Sequence, residues 1–176
     1  MRYCLIAVSL VCVLVFTAAA QAPSPKPGPE QKRLEVFVGN WTFEGEAKPG
    51  PGGPGGKVTG TDRIQMLGGF FVERRWEGKG PMGDLKGVHI FGYDPVKKTY
   101  ITSGFDSVGG FDSGTIAVSG STWTFSSTGV SGGKPMQSRC SVTFAAGNTS
   151  LTVKCEASMD GKNWTPSFEG KSTKSR

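Results

Sequence analysis

Five features of this 176-residue chain could do chemistry: a lone histidine, His89; an arginine, Arg74, with acidic and aromatic neighbours; a Gly-x-Ser-x-Gly run at 129–133; a proline- and glycine-rich run at 48–57; and two late cysteines, Cys140 and Cys155. A single histidine can act as a base or proton relay, but it cannot build a multi-histidine metal site. Carboxylates do not cluster at ligand spacing either, so no metal is expected. The nucleophile elbow of a serine hydrolase needs a strand before the serine and a helix after it. Here Lys134-Pro135 leads into a further strand, so Ser131 reads as part of a turn. A phosphate-binding loop needs Ser or Thr after its lysine, whereas Val58 follows Lys57 and three prolines remove backbone donors. Nucleotide binding is therefore not expected.

Arg74 carries more promise, and its setting depends on how residues 59–67 and 70–78 pair. A two-residue turn at Gly68-Gly69 would set Arg63 opposite Arg74, a repulsive pair. A three-residue turn with Gly69 in the left-handed bulge position avoids this. It pairs Met66 with Phe70, Ile64 with Val72 and Asp62 with Arg74 on one face, and Arg63 with Glu73 on the other. The Asp62/Arg74 pair then lies on the apolar face beside Trp76. Two readings follow. One is a structural ion pair in a wall, since a buried charge is costly unless paired. The other is a guanidinium presented to an acidic ligand head group, with Trp76, Phe70 and Tyr93 or Tyr100 beside the apolar part.

His89 is placed by the next hairpin. Asp94-Pro95 opens a turn closed at Thr99, proline presetting φ and aspartate bonding back to the main chain. Val88 then falls beside Phe105 and Ile90 beside Ser103, with Ile101 on the same face. His89 falls on the other face with Phe91, Tyr93 and Tyr100. Placing the aliphatic face inside puts His89 outside, in a surface or strand-pairing role.

The cysteines sit in a third hairpin, about Gly147-Asn148. Phe144 faces Leu151, Val142 faces Val153, and Cys140 faces Cys155, close enough for a disulfide. Closing that loop is worth about 3 kcal/mol in the chain-entropy model, less what the hairpin already supplies.

Around these lie other short elements. Pro29 opens a helix that buries Leu34, Phe37 and Val38 on one face and ends at Gly39. Strands follow at 41–47, 111–119, 121–127 and 162–169, giving about ten with turn signals between them. That pattern means an all-β fold, a sandwich or an antiparallel barrel.

The first twenty residues form a separate object. Arg2, an uncharged apolar run at 5–16 and Ala18-Ala19-Ala20 make a secretory signal peptide cleaved near Ala20. The run is too short for a membrane span. Cys4 and Cys12 leave with it, and an even pair of cysteines in an exported chain reads as a disulfide. The expected organisation is a signal peptide at 1–20, a flexible leader at 21–28, a barrel domain at 29–170 and a polar tail at 171–176. About 70% of the surface of a chain this size can be buried, enough for a core without metals. The formal net charge is +6, scattered among acidic residues, so no nucleic-acid surface is expected.

Two patterns carry a resemblance. Gly39-Asn40-Trp41 after the helix resembles the G-x-W start of calycin barrels, the group of lipocalins, fatty-acid-binding proteins and nitrobindins. The run Met66-Leu67-Gly68-Gly69-Phe70, then Gly92-Tyr93-Asp94, Tyr100 and Phe105-Asp106-Ser107, is similar to an uncharacterised, mostly bacterial family known only as a domain of unknown function. The resemblance implies an up-and-down calycin-like barrel around a core or small cavity. It also implies a helix closing one end and residues 48–57 as a possible cover. Nitrobindins hold haem through a late histidine, and none follows His89 here, so no cofactor is expected.

The function these residues point to is an exported, non-catalytic barrel for a small apolar or amphipathic molecule. The alternative is a structural or interaction protein of the cell envelope, and an enzymatic or haem-binding barrel ranks behind both. Oligomeric state is not legible in the sequence.

Overall fold

The computed structural model describes residues 25–50 and 53–175. The expected signal peptide and the first half of the leader lie outside the described residues. Within them, a short helix α1 (Pro29–Arg33) tightens into a 3-10 turn (Leu34–Phe37) and delivers the chain to ten strands. These are β1 (Gly39–Ala47), β2 (Gly56–Leu67), β3 (Phe71–Gly80), β4 (Gly83–Asp94), β5 (Thr99–Asp106), β6 (Phe111–Ser119), β7 (Thr122–Ser131), β8 (Lys134–Phe144), β9 (Ser150–Ser158) and β10 (Thr165–Lys174). Each strand pairs antiparallel with its neighbours in the chain, and β1 pairs with β10, closing the sheet into an up-and-down barrel. Closure leaves no sheet edge unpaired.

The helix seals one end of the barrel. Pro29 sits at its start, and Gln31 Oε1 accepts a hydrogen bond from the Gly28 N–H at 3.0 Å, satisfying an orphan donor. Leu34 and Phe37 drop into the barrel, and the Trp41 indole N–H donates to the Phe37 carbonyl at 2.8 Å. That bond ties the Gly39-Asn40-Trp41 start of β1 to the plug. Beneath it, Phe37 meets Trp123, Phe125, Phe144 and Phe91 at ring-centroid distances of 4.9, 6.2, 5.2 and 5.5 Å. The Tyr100 hydroxyl donates to the Glu30 carbonyl at 3.1 Å, anchoring the helix to β5. Burial raises the pKa of that hydroxyl. The helix is shorter than the apolar spacing suggests, because Val38 turns extended (ψ 132°) after its N–H bonds the Glu35 carbonyl.

Two of the three hairpins follow the side-chain pairing argument residue for residue. Val88 opposes Phe105 and Ile90 opposes Ser103, while Asp94 Oδ1 accepts from the Val96 and Lys97 N–H groups in the turn. Cys140 opposes Cys155 and forms a disulfide with it. The β2–β3 hairpin is displaced by two residues. Its turn is Gly68-Gly69-Phe70, both glycines taking positive φ (61° and 79°), so Asp62 opposes Trp76, and Arg63 opposes Arg75. The like-charged pair is tolerable because it lies on the solvent side, where Arg75 Nε donates to Glu73 Oε1 at 2.5 Å. A shift of two keeps every side chain on its face.

Two further expectations are corrected. β10 runs to Lys174, with Ser172 only 7% exposed, so the stretch expected as a tail is barrel wall paired with β1. The aromatic face of β4–β5, not the aliphatic one, points inward: Phe91 and Tyr100 are buried, whereas Ile101 and Phe105 are 37% and 58% exposed. On these two strands the rings face the interior under the plug, beside Ile64, Val72 and Ile116 of the neighbouring strands, and the aliphatic residues are left to the outer wall.

Candidate functional site

Away from the plug the barrel opens into a cavity of about 410 Å³. Its walls are set by strand parity. Phe43, Phe91, Phe125 and Phe168 supply aromatic surface, and the Cys140–Cys155 disulfide lies in the lining with Val142 and Val153. One sector, from β2 to β6, is polar. There Arg74 opposes His89, His89 opposes Gly104, and Gly104 opposes Asp112. Asp62, diagonal to Arg74, accepts a hydrogen bond from its Nε at 2.7 Å. Asp62 is 6% exposed, so the pair meets the requirement that a buried charge have a partner.

Because His89 faces inward, its imidazole reaches across β5 toward β6, and Nε2 lies 3.4 Å from Asp112 Oδ1. Gly104 makes this possible. A Cβ there would stand 2.3 Å from His89 Cδ2 and Nε2 and 2.7 Å from Asp112 Oδ1, so no larger residue fits while the ring lies across the strand. Burial pushes the Asp112 carboxyl up, but the imidazole and the Ser127 hydroxyl beside it outweigh that and hold it below its ordinary value. Ser127 in turn shares a 2.9 Å hydrogen bond with Ser138.

Among the described residues, three polar atoms in this sector are buried without a partner: Trp76 Nε1, His89 Nδ1 and Thr102 Oγ1. Buried polar groups are almost always hydrogen-bonded, so three together mark a place where something else completes the set. Arg74, Trp76 and His89 also border a second cavity of about 320 Å³ nearer the mouth, lined by Gly53, Pro54, Pro81 and Met82. These three side chains thus stand between an outer vestibule and the inner cavity.

Of the candidate residues read from the sequence, Arg74, Asp62 and Trp76 come together here. Phe70 sits in the β2–β3 turn near the plugged end, its N–H bonding the Leu67 carbonyl. Tyr93 and Tyr100 pack against each other at 5.1 Å under the helix, apart from the cavity lining. His89, expected outside, is part of the site, and Asp112, Thr102 and Gly104 were not anticipated. The signal for them lay in the β5–β6 turn: a hairpin about Gly109 sets Asp112 opposite Gly104, hence beside His89. The run 129–133 forms the end of β7 and a Gly132-Gly133 turn into β8, a strand–turn–strand junction. Among the described residues no group of three or more His, Cys, Asp or Glu gathers at metal-binding distance. None of their helices is long and apolar enough to cross a membrane.

A closed ten-stranded barrel with a helical plug and a part-polar interior cavity defines the class. Within it, the chain belongs to the family described as "Protein of unknown function (DUF1579)", matched over residues 26–174. No curated protein matches it. Among solved structures, the crystal structure of Rv2717c from M. tuberculosis is similar at a TM-score of 0.61 and 11% identity, covering 86% of this chain and 100% of that one. The S-type phycobiliprotein lyase CPES from Guillardia theta is similar at a TM-score of 0.56 and 13% identity, covering 84% and 93%. At these identities the likeness is one of fold.

Proposed function

We propose that this protein is an exported, non-catalytic, calycin-like barrel that binds one small apolar or amphipathic molecule, its apolar body among the phenylalanines and its polar end against Arg74, Trp76 and His89. The observation that carries the reading is the set of three unpartnered buried polar atoms in the polar sector of a cavity of about 410 Å³ whose other walls are largely apolar. Small-molecule sites run from about 300 to 1,000 Å³ and pair apolar walls with a few convergent polar groups. The fold shared with a phycobiliprotein lyase is compatible with handling a small molecule. Export rests on the composition of residues 1–20, and the Cys140–Cys155 disulfide is compatible with an oxidising compartment.

Fluorescence titration with the neutral dye N-phenyl-1-naphthylamine tests the binding. Saturable one-to-one uptake is expected, and it should disappear in Ser138→Phe, which fills the cavity without altering the outer wall. Uptake that fails to saturate, or that survives the substitution, would place the dye on the surface and remove the support.

A second reading, an interaction role for the outer wall, draws on Phe71 and Ile101. They flank Gly92 from β3 and β5, outside the cavity lining, and are 39% and 37% exposed. Sedimentation of the Phe71→Ser/Ile101→Ser variant beside the unmodified chain separates the readings. A change in association state with dye uptake intact would favour the wall over the cavity.

A further inference from the structure

The polar sector also constrains what the bound molecule presents to it. Resting on the small-molecule reading above, we propose that the polar end of the ligand is an uncharged group carrying both a hydrogen-bond acceptor and a donor, as a carboxamide or lactam does, and not a carboxylate.

The hydrogen-bond requirements come first. An indole N–H can only donate, so Trp76 Nε1 needs an acceptor. The Thr102 hydroxyl, in a residue only 4% exposed, can donate and accept. With His89 Nε2 turned to the Asp112 carboxylate at 3.4 Å, that nitrogen carries the proton, and in the neutral ring Nδ1 is left as an acceptor wanting a donor. The three residues occupy adjoining inward positions on consecutive strands. Trp76 opposes Gly87, two residues from His89, and His89 opposes Gly104, two residues from Thr102. Diagonal neighbours on a sheet lie about 7–8 Å apart, so a head group at His89 has Thr102 on its plug side and Trp76 on its mouth side and bonds His89 and one of the two, which stand four residues apart in register. With the ring neutral no single ion satisfies this mixture, because an anion offers only acceptors and a cation only donors; with the ring protonated both its nitrogens donate, and the charge balance decides.

Charge balance gives the same answer. The guanidinium of Arg74 is already met by Asp62 at 2.7 Å. Asp112 adds a second carboxylate to the sector and Asp106 a third toward the mouth, while the Lys171 ammonium lies exposed on the outer wall, where Glu44 holds it at 2.9 Å. With His89 neutral, carboxylates outnumber Arg74. With His89 protonated, Asp62 and Asp112 balance Arg74 and His89. In neither state does the sector hold surplus positive charge to receive a carboxylate, whose transfer into such a cavity is costly without a counter-ion. A cationic head would be drawn to the carboxylates but would confront Arg74 and leave the Trp76 N–H facing another donor.

Three probes with one apolar body separate these cases: naphthalene-2-carboxamide, naphthalene-2-carboxylate and naphthalene-2-carboxamidine, titrated calorimetrically into the disulfide-intact protein. The carboxamide should bind at least tenfold more tightly than either ion. Thr102→Val should weaken it by about threefold to tenfold while leaving the unfolding midpoint unchanged or raised, since the lost hydroxyl has no partner. A carboxylate or amidinium that binds as tightly as the carboxamide overturns the proposal. An unchanged carboxamide preference in Thr102→Val overturns the assignment of that hydroxyl. If none of the three binds while the neutral dye does, the head-group proposal alone fails; if the dye is excluded as well, the cavity reading fails with it.

Discussion

Gly104→Ala is the sharpest perturbation of the polar sector. The new methyl would lie 2.3 Å from two atoms of the His89 ring and 2.7 Å from Asp112 Oδ1. Ordinary contact between such atoms is about 3.5–4 Å, so the ring must retreat by more than about 1 Å. That movement opens the gap to Asp112, which is 3.4 Å in the unmodified protein. Overpacking of this kind costs about 1–3 kcal/mol. Replacing glycine returns about 0.4–1 kcal/mol by restricting the unfolded chain. The net expectation is a loss of about 1–2 kcal/mol, or a fall in melting temperature of roughly 2–8 °C for a chain of this size.

Urea and thermal unfolding give the stability, and NMR follows the imidazole without ambiguity because His89 is the chain's one histidine. The ring resonances should shift in Gly104→Ala. The decisive comparison is a double-mutant cycle: in a His89→Ala background Gly104→Ala should lose the ring's share of its cost and keep only the smaller part due to its approach to Asp112 Oδ1. A cost undiminished without the imidazole, or a Gly104→Ala protein as stable as the parent with unmoved resonances, would refute the packing described for this sector.

The Asp62/Arg74 pair predicts an asymmetry. Asp62 is 6% and Arg74 30% exposed, so Arg74→Met should cost about 3 kcal/mol by stranding the more deeply buried charge, and Asp62→Asn less; urea midpoints compare them. At the β9–β10 turn, backbone N–H groups of Asn163 and Lys162, then the Asn163 and Ser158 side chains, hold the Asp160 carboxyl far below its ordinary value. A depressed folded-state value gives stability that is present above the unfolded range, about pH 4, and is lost as pH falls below it. Hydrogen-exchange protection at Gly161 to Asn163, relative to the intrinsic rate at each pH, should therefore fall below that pH, and Asp160→Ala should show the lowered protection at neutral pH. Reducing the Cys140–Cys155 bridge, which spans 15 residues, should lower stability by at most about 3 kcal/mol and leave the barrel folded by circular dichroism. If residues 1–20 are a cleaved signal peptide, as proposed, mass analysis of the protein recovered from its own host should give a chain beginning at Gln21.

Much of the barrel was legible in the sequence because turn chemistry and cross-strand pairing are local. Asp94-Pro95 and Gly147-Asn148 fixed two hairpins, and with them the opposition of Val88 to Phe105 and of Cys140 to Cys155. The β2–β3 register slipped because two glycines allow the turn to centre on either side of Gly69, and an exposed Arg63/Arg75 pair costs less than a buried one. What failed more instructively was the choice of inner face. Alternation groups His89 with Phe91, Tyr93 and Tyr100, yet carries no label saying which group faces the interior. The rule that aliphatic side chains go inside gave the wrong answer, because this interior is filled by rings and by a polar sector whose charges answer one another. Asp112 and Thr102 could not be recognised until His89 was turned inward, and the cavity depends on strand glycines such as Gly104 whose role is visible only beside the ring they accommodate.

The central claim is that the cavity holds a small molecule, and native mass spectrometry of the protein purified from its own host tests it most directly. The account predicts one non-covalent adduct of a few hundred daltons per chain, released on unfolding and absent from Ser138→Phe prepared in the same way. The bare chain mass in repeated preparations, together with no saturable uptake of the neutral dye, would contradict it.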